Sequence, residues 1–206
     1  MAAIIFDFDG TIADSFDYVA DFLAAEAGIA PLDDQRKQEL RGLSMAAMAR
    51  YLGYPWWRLP LLLVKGRRKM NGVIKDLEPF DGMVSVIRQL HGDGHRLFIV
   101  SSNSARNIRG FLRFHELQSC FSHISGSIGL FSKAAALRGL LKRYRLKRLD
   151  TTYVGDELRD IQAAQSIKLP MIAVVWGFAR QIDLEAKKPT ALAHNPPELM
   201  RILKEI

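Results

Sequence analysis

The chain has 206 residues, with 29 Lys and Arg against 22 Asp and Glu (net charge +7), and is 49% hydrophobic and 25% charged. Such values describe an ordinary globular protein, either one domain with a large insertion or a small two-domain enzyme. They exclude a disordered tail, a collagen-like repeat and a disulfide scaffold. Cys120 is the only cysteine, so no internal disulfide can form, and residues 59–64, the longest apolar run that imitates a membrane span, fall far short of the ~20 residues required. The N-terminus has no basic stretch and is interrupted by Asp7 and Asp9, so no signal peptide is expected and the chain reads as soluble and cytoplasmic.

Residues 3–8 form an apolar, β-branched and aromatic run that ends in Asp-Gly-Thr, the pattern of a buried strand stopping at a tight turn. Residues 15–78 then change character. Tyr18, Phe22 and Ala25 suggest one helical face, Tyr51, Trp56 and Trp57 add bulk, and Pro31, Pro55 and Pro60 break the pattern, with no comparable strand signal. Beyond them, Val84, Ile87 and Leu90 are spaced as on a helix, residues 96–100 read as a strand, and 120–124 as a weaker one. Leu137, Leu140, Leu141 and Tyr144 follow helical spacing, with Arg138, Lys142 and Arg145 on the opposite face. Two further strands are predicted at 151–154 and 171–175. Strands alternating with amphipathic helices predict an α/β fold: a Rossmann-like parallel sheet with helices on both faces and an inserted all-helical segment. The expected division is a core of residues 1–14 and 79–206 and a helical cap of residues 15–78.

Open parallel sheets bind ligands beyond the carboxyl ends of their strands, and four polar groups fall there. Asp7 and Asp9, at i and i+2 where the first strand opens into a turn, can share a cation while one serves as nucleophile and the other as general acid and base. Gly10 permits the turn that brings backbone amides, including that of Thr11, toward an anion. A simple Asx turn is the alternative. Ser101, Ser102 and Asn103 follow the second strand with hydroxyls and amides suited to an oxyanion, or to plain helix capping. Lys133 opens the Leu-rich helix against the helix dipole, although an exposed lysine is the simpler reading. Gly155-Asp156 ends a strand, with Asp160 one helical turn on, an oxygen-rich arrangement suited to Mg²⁺ or to capping. His91 and His95 are separated by Gly92, lie beside Gly94 and lack a third ligand, so no zinc site is expected.

Strand-end Asp-x-Asp, strand-end Ser, helix-start Lys and Gly-Asp-x-x-x-Asp occur in that order on successive units. In this the sequence closely resembles the haloacid dehalogenase superfamily of Asp-nucleophile phosphohydrolases, from Ile4 to about Leu203. Within it, Glu78-Pro79-Phe80-Asp81-Gly82 and Val175-Trp176-Gly177-Phe178 are similar to the phosphoglycolate-phosphatase-like branch, and the helical insertion sits where such enzymes carry a cap. The resemblance implies an aspartyl-phosphate on Asp7, proton transfer by Asp9, and Mg²⁺ held by Asp7, the Asp9 carbonyl and Asp156, with Asp160 behind them. It also implies that Ser101, Lys133 and amides near Asn103 hold the phosphoryl group. The second acid, Asp9, argues for a phosphatase over a dehalogenase. Glu157 departs from the Ser that often follows the fourth motif; it could add a carboxylate behind the metal site or pair with Arg159, and its role stays open.

The expected activity is therefore Mg²⁺-dependent hydrolysis of a small phosphorylated metabolite. A phosphomutase or nucleic-acid end phosphatase would use the same groups, and a non-catalytic binding protein is the third reading. Residues 88–148 carry 12 basic residues against Asp93 and Glu116, which suits an anionic partner without requiring nucleic acid; nucleic acid and membrane are not expected partners. In the cap, Lys65, Arg67, Arg68, Lys69 and Lys75 face either a second anionic group or solvent. The oligomeric state is not legible.

Overall fold

The computed structural model describes residues 1–43, 45–129 and 132–205. Six parallel strands, β1 (Ala3–Phe6), β2 (Arg96–Val100), β3 (Phe121–Ser125), β4 (Thr151–Gly155), β5 (Met171–Val174) and β6 (Ala191–Ala193), form one sheet in the order β3-β2-β1-β4-β5-β6. The chain winds outward from β1 through β2 and β3, then returns to pair β4 against the other edge of β1, with Phe6 opposite Val154. That reversal opens a crevice at the carboxyl ends of β1 and β4, where an open α/β sheet takes its ligand.

β1 is buried on both faces, which is why it reads as a continuous apolar run rather than an alternating one. Ile4 and Phe6 pack with α5 (Met83–Gly92), α6 (Ala105–Phe114) and α10 (Pro196–Glu205), whereas Ala3 and Ile5 pack with α7 (Lys133–Tyr144), α8 (Leu158–Ser166) and α9 (Gln181–Ala186). Leu137, Leu140 and Leu141 are buried and Arg138, Lys142 and Arg145 exposed, as the helical spacing requires.

Between β1 and α5 the described residues form helices only: α1 (Phe16–Glu26), α2 (Asp34–Leu40), α3 (Met45–Tyr51), a short 3₁₀ turn (Trp56–Arg58) and α4 (Leu59–Val73). These helices are seated on the core by backbone bonds at both ends of the insertion. Asp14 N donates to Glu78 O, Phe80 N to Ile12 O, and Gly42 N reaches Phe178 O at 2.8 Å.

Several local expectations needed correction. β1 stops at Phe6 rather than residue 8, because the amides of Ile12 and Ala13 fold back onto the Phe8 carbonyl. On α1 the buried face is Phe16, Val19, Ala20, Leu23 and Ala24; Ala25 is exposed, and Tyr18 and Phe22 are half-buried toward a cavity. Trp57 is 65% exposed, while the Trp56 side chain lies outside the described residues. β6 had no counterpart in the sequence reading, since three residues, Ala-Leu-Ala, carry neither length nor β-branching.

Candidate active site

Asp7 follows directly on β1, and its amide still pairs with Val154 O at 2.8 Å, so its side chain is fixed by the sheet itself. The chain then bends through Gly10 at φ +74, in the left-handed region where only glycine is unstrained. A Cβ there would run into the Asp156 carboxylate and the Phe178 ring. Gly177 is held to the same standard, because a Cβ on it would meet the Asp156 side chain and the Gly10 carbonyl. Two strand ends thus approach each other over Asp156, at contact distance.

Lys133 is 4% exposed although it begins a helix. Its Nζ donates to Asp7 Oδ2 at 2.6 Å and to Asp160 Oδ1. Asp160 is fully buried and committed on both oxygens: Oδ1 also accepts from the Tyr153 hydroxyl at 3.1 Å, and Oδ2 from the Glu157 amide at 3.1 Å. It anchors the lysine. Asp156 accepts from Thr11 Oγ1 on one oxygen and from Phe178 N on the other, each at 2.8 Å. Thr11 therefore spends its hydroxyl on a carboxylate.

One oxygen from each of Asp7, Asp156 and Asp160 can be chosen so that all three lie within 4.8 Å. Three buried carboxylates against one buried ammonium leave an excess of two negative charges if all are ionised, and hard oxygen donors of that number suit a divalent cation. Burial, and then the neighbouring acids, push Asp156 well above the ordinary carboxylate range. Asp160 behaves oppositely: burial works against its charge, but Lys133 and Arg159 hold it below the usual value. For Lys133, burial is likewise outweighed, and Asp160 and Asp7 hold the ammonium above its ordinary value.

Asp9 is not part of that carboxylate cluster. Its Oδ1 accepts from Ser15 Oγ at 3.0 Å, and the Asn103 amide donates to both of its oxygens at 3.2 and 3.0 Å. Burial and the nearby Asp7 charge raise it to about 6, so near neutrality it can hold a proton or give one up. The two acids of the first motif are thus in different environments, one facing a lysine and the other an amide and a hydroxyl.

The Ser101–Asn103 segment is more internally committed than the sequence suggested. Ser101 is fully buried and its Oγ accepts from Asn103 N at 3.1 Å. The Asn103 side chain serves Asp9, while its Oδ1 is held by Ser104 N and by Asn107 Nδ2 at 2.9 Å. Ser102 lies on a cavity wall, and its carbonyl accepts from Arg67 Nε at 2.9 Å. That cavity, about 60 Å³, lies between the helical insertion and the core, with Asp9, Ser102, Asn103, Glu157 and Arg159 on one side and Tyr18, Phe22, Leu62, Arg67 and Met70 on the other.

The sequence reading overlooked Ser15, Tyr153 and the Phe178 amide, and named Arg159 only as a candidate partner of Glu157, which it is. Ser15 and Tyr153 carry no motif signal, since a hydroxyl six residues after an acid or inside a strand is common. Arg159 had one: it stands between Glu157 and Asp160, where three charges in four residues have to be arranged.

A parallel sheet with a strand-end carboxylate pair, a buried lysine and an acidic cluster at its switch point is the arrangement of a hydrolase of the α/β class. Residues 4–174 match the haloacid dehalogenase-like hydrolase family, and the chain belongs to it. It is 35% identical to a phosphoglycolate phosphatase of Synechococcus elongatus, over 100% of this chain and 99% of that one. It is 26% identical to a 5′-nucleotidase of Pseudomonas aeruginosa, over 98% and 95%. Its fold superposes on a predicted phosphatase from Clostridium acetobutylicum with a TM-score of 0.81 at 21% identity, covering 100% and 99% of the two chains. The protein is a phosphatase of the phosphoglycolate-phosphatase-like kind. No helix among the described residues is long and apolar enough to cross a membrane.

Proposed function

We propose that the protein hydrolyses a phosphate monoester of a small metabolite through an aspartyl-phosphate on Asp7, with Mg²⁺ as cofactor. Residues 1–14 and 79–206 act as the catalytic core and residues 15–78 as its cap. The carrying observation is the different surroundings of the two acids: burial raises both, but Asp7 has the Lys133 ammonium at 2.6 Å to favour its charge, whereas Asp9 has only a hydroxyl and an amide and is raised to about 6. A nucleophile must be ionised, and a general acid and base must change state near the working pH.

In the first step an Asp7 oxygen bonds to phosphorus and the bond to the alcohol oxygen breaks, with Asp9 giving that oxygen its proton. In the second, water bonds to phosphorus, Asp9 recovers a proton from it, and the Asp7 carboxylate leaves. Lys133 neutralises the phosphoryl oxygens, with Ser101 and Ser102 beside them; the amides of Gly10, Thr11 and Asn103, expected from the sequence to join them, are bonded to the Ala13 carbonyl, the Phe8 carbonyl and Ser101 Oγ. Asp7 and Asp156 would hold Mg²⁺, joined by the Asp9 carbonyl as the family resemblance implies, with Asp160 behind, fixing Lys133. Bound there, the cation would offset the repulsion between an anionic nucleophile and an anionic ester.

The cavity beside Asp9 suits a small ester, and the full-length similarity to a phosphoglycolate phosphatase makes phosphoglycolate the first ester to try. A reducing cytoplasmic setting suits the single, buried Cys120. The test is phosphate release from phosphoglycolate, sugar phosphates, nucleotides and phosphorylated DNA ends, with Mg²⁺ or with chelator. Metal-dependent release from small esters is expected. Inactivity on every compound would overturn the proposal, and release confined to DNA ends would replace it with the end-phosphatase reading.

A further inference from the structure

Two cations stand on the wall of the cavity above Asp9: Arg67 from α4 and Arg159 from α8. The other cap cations turn away. Lys65 and Lys69 pair with Glu26, and Arg68 and Lys75 are exposed. Arg159 is oriented by Glu157, whose Oε1 accepts from Arg159 Nη2 at 2.5 Å. The Nε of the same guanidinium is shut off from solvent and has no acceptor. A guanidinium offers its donors as a rigid planar fork, and this one lines the cavity with donors that Glu157 leaves unused. Arg67, across the same cavity, spends its Nε on the Ser102 carbonyl and brings a second positive charge to it.

We propose that Arg159, steered by Glu157, is the residue that selects the substrate, and that with Arg67 it receives a carboxylate on the leaving-alcohol fragment of the phosphate ester. This rests on the phosphatase reading above and names the substrate class for that site. A carboxylate fits better than a second phosphate for two reasons. The fork matches its two oxygens, and the Glu157 carboxylate on the same wall penalises a doubly charged group more than a singly charged one. The cavity, about 60 Å³, has room for a short acid fragment. Glu157, the departure noted in the fourth motif, thereby acquires a function: it aims the arginine.

The test compares 2-phosphoglycolate with 2-hydroxyethyl phosphate, which replaces the carboxylate by a neutral hydroxymethyl group. The readout is the ratio of their kcat/KM values with Mg²⁺. The wild-type ratio is expected to be about 100 or more. Arg159→Met should lower it by roughly 30-fold or more, mainly through KM for 2-phosphoglycolate. Glu157→Gln is the second variant, because its amide still accepts from Arg159 while removing the competing charge; its ratio should equal or exceed that of wild type, a result misfolding cannot imitate. A wild-type ratio near 1, an Arg159→Met ratio within threefold of wild type, or a fall in the Glu157→Gln ratio would overturn the proposal and leave the phosphatase reading intact. Wild-type protein that releases phosphate from neither ester would overturn the proposal, and the phosphatase reading falls with it only if the sugar phosphates and nucleotides are untouched as well.

Discussion

Replacing Lys133 by Met probes the one cation that holds the buried acids together. The side chains of Lys133, Asp7 and Asp160 are 4%, 3% and 0% exposed, so no water can take over the ammonium's role. Met keeps most of the aliphatic stem and removes the ammonium, which stands 5.8 Å from the Tyr153 ring centroid, so the change isolates the charge. Removing one partner of a buried ion pair destabilises by about 3–5 kcal/mol, or about 6–20 °C in Tm for a chain of this size. The sign with pH follows from the acids left behind. Burial already raises Asp7, and Asp160 stays below its ordinary value only because Lys133 and Arg159 outweigh its burial. Without Lys133 both folded-state values should rise above the unfolded ones, so the folded variant binds extra protons. Its stability is then greatest at low pH and is lost as pH rises, and the gap to wild type should widen between pH 5 and pH 8. Thermal unfolding in chelator reads this directly, since a divalent cation could stand in for the ammonium. A loss below about 1 kcal/mol, or the same loss at both pH values, would refute the reasoning.

Asp9 yields a second pH signature. Its folded-state value is raised from 3.8 to about 6 by burial and by Asp7, so the stability it contributes is present below pH 3.8 and lost as pH rises through 6. Asp9→Asn should flatten the stability profile of the chelated protein over that interval. Mg²⁺ should raise the Tm of wild type, by about 2.7 kcal/mol in stability at a hundredfold excess over Kd, and Asp156→Asn should abolish most of that rise in the same melt. Gly10→Ala combines a left-handed φ with a collision against Asp156; it should lower stability by about 1–3 kcal/mol in urea titration and phosphate release by roughly 100-fold.

The order of the chemistry was legible in the sequence because each polar group ends an apolar run. Asp7, Ser101 and Asp156 leave β1, β2 and β4 on the same edge of the sheet, and strand-end carboxylates interrupt hydropathy in a way few structural needs require. Who holds whom was not legible. The sequence offered Thr11 and Asn103 as groups for an anion, whereas Thr11 supports Asp156 and the Asn103 amide supports Asp9. Asp160 looked like a metal ligand by spacing, yet both its oxygens are used to fix Lys133 and the start of α8. These pairings join residues up to 145 positions apart, and local periodicity carries no record of them. On α1 the spacing of Tyr18 and Phe22 was real, and it marked half-buried rings that pack on the core and also form a cavity wall. Only Arg67 among the clustered cap cations reaches the cavity, and helical phase alone, without knowing which side α4 presents to α6, cannot choose it.

The role of Asp7 is the point on which everything above depends, and a rapid acid quench of a phosphorus-radiolabelled ester tests it most directly. Wild-type protein should retain label as an acid-stable, hydroxylamine-sensitive acyl phosphate on the peptide containing Asp7, and Asp7→Asn should show neither label nor turnover. Phosphate release by wild type with no label on that peptide, or full turnover by Asp7→Asn, would remove Asp7 as the nucleophile.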